Sequence, residues 1–336
     1  MKEVVLGIDI GGTSSTLGLV DSLGNILVES NMPTPASASG MSASDFAELL
    51  YGKVFELQRQ VSEACQLVGV GIGAPDAKFD SGTIEFACNL PWRHEVVPFV
   101  ALMQRHFPDI PIRMTNDANA AAIGELVYGG ARGMKHFVTI TLGTGVGSGV
   151  VVNGQLVYGS DGFAGELGHL IMTPQGRRCG CGRRGCLETY VSASGLRQTA
   201  FEVMSRRYFS EKSLLKEISF SEMTSKNIAA AAQQGDSMAQ EVFEETGKML
   251  GLGLANIVTF SSPEAIFLYG GLVKAGDLLL APTVKSMNEN MMKTFCRRSA
   301  QGQIVQEANV RLLPSELNDS NGAVLGAAAL IWSESK

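Results

Sequence analysis

Apolar residues open this chain in short blocks set around glycine-rich turns, and the same arrangement returns near its middle. Residues 5–20 read as an apolar strand, a turn and a second strand: Ile8-Asp9-Ile10-Gly11-Gly12-Thr13, then Leu17-Gly18-Leu19-Val20-Asp21. Residues 137–152 repeat the pattern with Ile140-Thr141-Leu142-Gly143-Thr144-Gly145, then Gly149-Val150-Val151-Val152-Asn153. Setting Gly11 against Gly143 pairs Asp21 with Asn153 at an offset of 132 residues. Each hairpin leads to a further turn and strand, Gly24-Asn25-Ile26-Leu27-Val28 and Gly154-Gln155-Leu156-Val157-Tyr158. The pattern predicts two related α/β domains, each opening on a β-meander.

Between and after these blocks the period changes. Residues 44–66 carry Phe46, Leu49, Leu50, Val54, Leu57 and Val61 at helical spacing, with Ser44 as the candidate N-cap. A buried strand is expected at 68–72, closed by Gly73-Ala74-Pro75. A second helix is expected at 96–106 and a strand at 110–115. Residues 116–124 begin a small-residue helix with polar residues in its first turn, where orphan N–H groups need acceptors. Further helices are expected at 228–234 and 237–260, and a strand at 265–268 ending on Gly270-Gly271. A late strand at 310–313 and a closing helix at 322–331 complete the series. Strands alternating with helices argue an α/β class. No low-complexity linker divides the chain, so tight juxtaposition of the domains is expected.

Composition narrows the classes. The chain has 336 residues with 39 Gly, is 45% hydrophobic and is 18% charged, which excludes a disordered chain. A net charge of −6 argues against nucleic acid as a partner. The longest apolar stretches, 249–260 and 322–332, fall short of the ~20 residues that span a bilayer, so no membrane partner is expected. The N-terminus, Met1-Lys2-Glu3-Val4-Val5-Leu6-Gly7, lacks the long apolar core and cleavage site of a signal peptide. A cytoplasmic protein is the default. Of six cysteines, Cys65, Cys88 and Cys296 are scattered and read as small core residues. Cys179, Cys181 and Cys186 fall within eight residues and point to metal before disulfide.

Three kinds of site chemistry stand out. In Asp9-Ile10-Gly11-Gly12-Thr13, glycines let a phosphate approach backbone N–H groups with no Cβ in the way. Thr13 can add a donor, and Asp9 can hold Mg²⁺ through water. A plain Gly hairpin is the alternative for that turn alone. Gly143-Thr144-Gly145 repeats the chemistry, and Gly270-Gly271 ends another strand. Two such turns at the head of two related domains imply a nucleotide clamped between them. Neither a P-loop nor a Gly-x-Gly-x-x-Gly opening a helix is present.

The second is His169 followed by Cys179-Gly180-Cys181 and Cys186, a complete tetrahedral zinc set of three thiolates and one imidazole. With all four positions filled by protein, the zinc would be structural rather than catalytic. The other ring nitrogen of His169 would face something else. Free thiols beside an unrelated His are the alternative. Arg177, Arg178, Arg183 and Arg184 decorate the loop and read as a solvated basic rim, or as a contact surface for another subunit.

The third is a set of carboxylates and amides. Asn116-Asp117-Ala118-Asn119 puts Asp117 at a helix N-terminus, as an N-cap or as a general base taking a proton from an attacking hydroxyl. Glu166 precedes His169 by three residues and Glu188 follows Cys186 by two, so a zinc knot would draw Glu166, His169 and Glu188 together. Paired carboxylates and an imidazole suit vicinal sugar hydroxyls. Asn89, in Cys88-Asn89-Leu90-Pro91-Trp92, is a loop amide that can join them, or a turn Asn before Pro.

These motifs run almost end to end and resemble the ROK family of bacterial sugar kinases, within the actin/hexokinase/Hsp70-like ATPase superfamily. The most specific is Gly165-Glu166-Leu167-Gly168-His169 continuing to Cys179-Gly180-Cys181-Gly182-Arg183-Arg184-Gly185-Cys186-Leu187-Glu188. The resemblance implies two ribonuclease-H-like domains with ATP in the cleft. The domain over 1–115 would be small and completed by a C-terminal helix at 321–336. The domain over 116–320 would be large and carry the zinc loop 169–186. Asp117 is similar to the family's catalytic base, and Asn116, Glu166, His169, Glu188 and Asn89 resemble its sugar ligands. Gly11, Gly12, Thr13, Thr144 and Gly271 resemble ATP-binding positions, joined on the motif by Asp9, Gly143, Gly145 and Gly270.

The resemblance thus implies ATP-dependent phosphorylation of the 6-hydroxyl of an aldohexose, with glucose expected first, Mg²⁺ and structural Zn²⁺ as cofactors, and a homodimer. N-acetylglucosamine, N-acetylmannosamine, fructose and allose are the rival acceptors. A sugar-sensing regulator without catalysis is a rival of another class, and an Hsp70-like or actin-like ATPase would not need the His/Cys₃ loop. Two positions depart from the family pattern: Ser14-Ser15 stand where many members have Lys, and Pro75-Asp76 where many have Pro-Gly. The family's repressors carry an N-terminal helix-turn-helix; the chain opens almost directly on its first strand, so none is expected.

Overall fold

The first apolar block forms β1 (Lys2–Ile10), with Val4, Val5, Leu6, Ile8 and Ile10 buried, as a strand covered on both faces requires. The structure, a computed structural model, describes residues 1–36, 39–61, 65–87, 89–207, 212–299, 304–317 and 322–334. Strands β2 (Ser14–Asp21) and β3 (Ile26–Pro33) continue from β1 as an antiparallel meander, with Ile8 opposite Leu17 and Leu19 opposite Val28. Asp21 closes the second bend: its Oδ1 accepts the Leu23 and Asn25 N–H groups at 3.0 and 2.8 Å, and Lys2 pairs with it at 2.7 Å.

Helix α1 (Ala43–Gln60) begins two residues earlier than its apolar spacing predicts. Ser42, not Ser44, is the N-cap, because its Oγ accepts the Asp45 N–H at 3.1 Å while bonding the Asp45 carboxylate. The helix also stops sooner. Cys65 and Gln66 belong to β4 (Cys65–Gly73), which runs parallel to β1 from the Lys2–Cys65 pair onward. A small antiparallel sheet follows: β5 (Ala77–Lys78), β6 (Thr83–Glu85) and β7 (Val96–Val97). The helix expected at 96–106 is therefore shortened to α2 (Phe99–Gln104), since Val96 and Val97 pair with Glu85 and Ile84 and Pro98 starts the turn. Strand β8 (Ile112–Thr115) lies parallel to β4, and α3 (Asp117–Val127) follows it directly. The five-stranded sheet has the order β3-β2-β1-β4-β8.

The second block forms β9 (Phe137–Leu142), β10 (Val146–Val152) and β11 (Gln155–Leu156). Helices α4 (Glu188–Val191), α5 (Ala193–Arg206), α6 (Ser225–Gln233) and α7 (Ser237–Ser261) come next. Then β12 (Ala265–Tyr269), α8 (Asp277–Asn290), β13 (Cys296–Arg298), β14 (Ile304–Ala308), β15 (Arg311–Pro314) and α9 (Gly322–Glu334) complete the chain. Strand β12 runs parallel to both β9 and β15, and the sheet order is β11-β10-β9-β12-β15. Each sheet is thus a meander extended on the far side of its first strand by two later strands. The repeat seen as a 132-residue offset is a repeat of topology.

Contacts divide the chain into two units: Met1–Lys135, Gly149–Gly165 and Ser315–Lys336 form one, and His136–Ser148 with Glu166–Pro314 the other. In the first, one sheet face packs Phe46, Leu50, Val54, Phe99 and Trp92. The other face packs the closing helix α9, through Val324, Ala328 and Ile331. Strand glycines let α9 come this close. A Cβ on Gly71 would collide with the Ala327 carbonyl, and one on Gly7 with the Val324 carbonyl. A Cβ on Gly124 of α3 would stand 3.0 Å from Gly326 Cα, so α3 and α9 also meet through their smallest residues. Cys296 is buried and Cys65 half-buried; Cys88 lies outside the described residues. Among the described residues, no helix is long and apolar enough to cross a membrane.

Candidate functional site

In the first unit, the C-terminal ends of β1 and β4 and the N-terminus of α3 converge. Asp9 lies opposite Gly73 in the parallel pair, and Gly73 lies opposite Thr115 at the end of β8. A Cβ on Gly73 would stand 3.8 Å from Asp9 Oδ1 and 3.9 Å from Asp117 Cα. Asn116 is the N-cap of α3: its Oδ1 accepts the Asn119 N–H at 2.7 Å. That leaves Asp117 as the first helical residue, with its Oδ1 on the Ala118 N–H at 2.8 Å. The cap reading of this motif therefore belongs to Asn116.

Desolvation by the surrounding chain dominates the electrostatics here, although Asp76 and Asp117 keep exposed surface and Asp9 is half-buried. Desolvation pushes the Asp9 carboxyl up to about 7, and the charge of Asp117 adds to the rise. It also raises Asp117, against the hydrogen bond from Ala118 that favours its ionised form. Asp76 is raised too, by desolvation and then by Asp117. Its φ of 51° is in the left-handed region, which Asp tolerates better than most residues. Asp76 is the acidic neighbour that sequence reasoning left out. The Pro-Asp departure from the family pattern was its only signal.

The two glycine turns have different surroundings. Gly11 N–H donates to the Ser14 carbonyl at 3.0 Å, and Thr13 carbonyl accepts from Thr34 at 2.9 Å. A Cβ on Gly12 would stand 2.9 Å from the Asn89 Cβ, so Asn89 backs this turn. In the second unit, Gly143 N–H donates to the Gly145 carbonyl at 3.0 Å. From α5, Ala193 N–H reaches the Gly143 carbonyl at 2.8 Å and Ser194 Oγ the Thr144 carbonyl at 3.2 Å. Gly270, with φ 110°, lies against Leu142 just ahead of that turn; a Cβ there would be 2.6 Å from the Leu142 carbonyl. At Gly143 and Gly271 a Cβ would meet nothing within 4 Å, so both backbones are open to an incoming group.

The loop after β11 folds His169, Cys179, Cys181 and Cys186 onto one point, with all four donor atoms within 4.8 Å of one another. Cys181 and Cys186 sulfurs are 3.7 Å apart, and Cys179 Sγ is 3.5 Å from His169 Nδ1. Zinc–sulfur bonds of about 2.3 Å in a tetrahedron put sulfurs about 3.8 Å apart, so the donor set fits zinc. Backbone pairing shapes the loop: Ile171 bridges Cys186, Arg178 bridges Arg184, and Cys179 N–H reaches the Arg183 carbonyl at 3.0 Å. Gly185, with φ 78°, also avoids a collision with the Thr173 carbonyl. Desolvation pushes the Cys179 thiol up to about 12. Burial opposes ionisation of Cys181 as well, yet hydrogen bonds from Arg183, Cys179 and Cys186 bring it down to about 6.

Glu166 and Glu188 both reach this cluster. Glu166 Oε2 lies 3.8 Å from His169 Nε2, and Glu188 Oε1 lies 3.6 Å from Cys179 Sγ. The basic rim divides. Arg183 and Arg184 are exposed and bond the His169 and Gly176 carbonyls. Arg177 is a buried anchor instead. It pairs with Glu202 at 2.6 Å, donates to the Thr189 and Gly195 carbonyls at 2.7 and 3.1 Å, and stacks over Tyr190. Charge composition alone did not distinguish it from its neighbours.

Two sheets of one neighbour order, each headed by a glycine turn, are the actin-like ATPase fold. The chain belongs to the ROK family, whose model it matches over residues 5–334. It is 35% identical over 280 residues to a glucokinase of Halalkalibacterium halodurans, covering 82% of this chain and 83% of that protein. It is also similar to the crystal structure of a ROK family glucokinase from Streptomyces griseus in complex with glucose and AMPPNP. That likeness has a TM-score of 0.75 and 32% identity over 97% of this chain and 98% of that one. A xylose repressor of Caldicellulosiruptor bescii is 28% identical over 98% of this chain and 78% of its own length.

Proposed function

We propose that this protein is an ATP-dependent hexokinase that phosphorylates the 6-hydroxyl of an aldohexose, with glucose as its substrate. The observation that carries this reading is Asp117: a carboxylate at the first position of α3 whose proton affinity is raised by desolvation, set beside Asp9 at the end of β1. General-base catalysis is most effective when the base's pKa lies near the working pH, and desolvation moves Asp117 that way. Likeness to glucokinases, one of them crystallised with glucose and AMPPNP, supports both substrates.

In the proposed reaction the sugar 6-hydroxyl oxygen attacks the γ-phosphorus while its proton passes to Asp117. The bond to the β,γ-bridging oxygen breaks, leaving ADP and the sugar 6-phosphate. Asn89, Asn116, Glu166, His169 and Glu188 would bind the sugar hydroxyls. Gly11, Gly12, Thr13, Gly143, Thr144, Gly145, Gly270 and Gly271 would receive the nucleotide, and Asp9 would hold Mg²⁺ through water, which neutralises phosphate charge. His169, Cys179, Cys181 and Cys186 would hold a structural zinc. Without Lys after the first Gly turn, neutralisation rests on Mg²⁺ and backbone donors. A cytoplasmic homodimer is the working form this reading adopts.

Likeness to a xylose repressor favours a second reading, a sugar-sensing regulator without catalysis. One experiment decides between them and among acceptors: ADP release over a panel of glucose, fructose, allose, N-acetylglucosamine and N-acetylmannosamine, with a no-sugar control. Strong release with glucose is expected. Sugar binding with no ADP release for any acceptor would overturn the kinase reading.

A further inference from the structure

Glu188 opens α4, and its carboxylate spans two features: Oε1 stays 3.6 Å from the Cys179 sulfur while Oε2 reaches the second glycine turn. Its Oε2 accepts the Val146 N–H at 3.0 Å, and Val146 directly follows Gly143-Thr144-Gly145. A Cβ on Gly145 would stand 2.6 Å from that same Oε2 and 3.6 Å from the Glu188 Cδ, with no other group inside 4 Å. The missing side chain at 145 therefore makes room for this carboxylate. The following residues hold the turn as well. Glu188 carbonyl accepts from Ser192 at 3.1 Å, and Ala193 and Ser194 bond the Gly143 and Thr144 carbonyls.

A hydrogen bond from an amide to an ionised carboxylate is among the stronger kinds a protein makes. Here it pins the amide at the exit of the turn, while α5 pins the carbonyls at its entry and centre. The backbone donors between them then need little rearrangement to receive an anion, which is the physical meaning of preorganisation.

We propose that Glu188 is a positioning residue for the 143–145 turn, fixing its backbone for nucleotide phosphate whether or not sugar is bound. This rests on the reading of that turn as phosphate-binding. A role confined to sugar hydroxyls would leave nucleotide affinity in the absence of sugar untouched.

The test is a double-mutant cycle on the full-length protein, with AMPPNP–Mg²⁺ affinity measured by calorimetry without sugar. Glu188→Ala is expected to weaken binding about tenfold, the scale of one charge-assisted hydrogen bond. Glu188→Gln keeps an acceptor oxygen and is expected to stay within about threefold of wild type. Gly145→Ala is expected to weaken binding tenfold or more in the wild-type background, yet about twofold or less in the Glu188→Ala background, where the obstructing carboxylate is gone. If Glu188→Ala does not fold, Glu188→Asp, too short to reach Val146, takes its place in the cycle. Unchanged nucleotide affinity in Glu188→Ala (or in Glu188→Asp where it replaces it), or strictly additive effects at 188 and 145, overturns the proposal and leaves the phosphate reading standing. Absence of AMPPNP binding by the wild-type chain overturns the phosphate reading itself.

Discussion

Glu166 Oε2 lies 3.8 Å from Nε2 of His169, on the opposite edge of the imidazole from the Cys179 sulfur at Nδ1. One ring therefore has a face for the thiol cluster and a face for a carboxylate. Fixing the tautomer through one nitrogen sets what the other can donate.

That division predicts two separable losses. His169→Cys supplies a fourth thiolate, so zinc content by atomic emission should stay near one per chain while the KM for sugar rises tenfold or more. If zinc holds the loop, Cys181→Ser should lose the metal and lower the melting temperature by several degrees, because the ion would then stand in for a core. A metal-free wild-type protein with full activity would refute the zinc assignment.

Asp117→Ala should abolish turnover and spare sugar binding. The expected fall in kcat is about 10²–10⁴-fold, the range for loss of a general base. ADP release and sugar calorimetry on the same preparation check it. Residual activity near wild type would remove Asp117 from the base role.

Asp9 ties stability to pH. Its folded-state pKa of about 7 exceeds the ordinary 3.8, so the folded chain favours the neutral acid. The stability this contributes is full below about pH 4 and is lost as pH rises toward 7. Asp9→Asn should therefore melt closer to wild type at pH 4 and above it at pH 8, in Mg²⁺-free buffer. Adding Mg²⁺ at pH 8 should raise the melting temperature of wild type more than that of the variant. Equal pH slopes for the two proteins would contradict the burial argument.

Gly71→Ala should destabilise the first unit by about 3 kcal/mol or more, because its Cβ meets the Ala327 carbonyl and backbone cannot swing aside as a side chain can. Urea denaturation reads the loss. Gly52→Ala is the control: a Cβ there meets nothing within 4 Å, and the position is helical, so stability should hold or rise slightly.

Much of this molecule was legible along the chain, for local reasons. A meander around a glycine turn is written in consecutive residues, so both hairpins and their 132-residue repeat could be read directly. The convergence of His169 with the three cysteines was legible because the thiols lie within one loop and their chemistry has few other uses. Element boundaries were less so. Ser42 won the cap from Ser44 through a bond to Asp45, and Val96 and Val97 left a helical pattern to pair with β6.

What only the tertiary structure decided were the contacts between distant segments. Periodicity cannot say that Gly7 and Gly71 seat the backbone of α9, that Arg177 is buried among carbonyls while Arg183 is exposed, or that Glu188 lies across Gly145. Each of these depends on which surfaces meet after the chain has folded. Local propensity acts over a turn or two of chain, whereas desolvation and steric exclusion act between whatever residues the fold brings together. The residue types determined which chemistry was possible, and packing decided where each group was held and in which direction its proton affinity shifted.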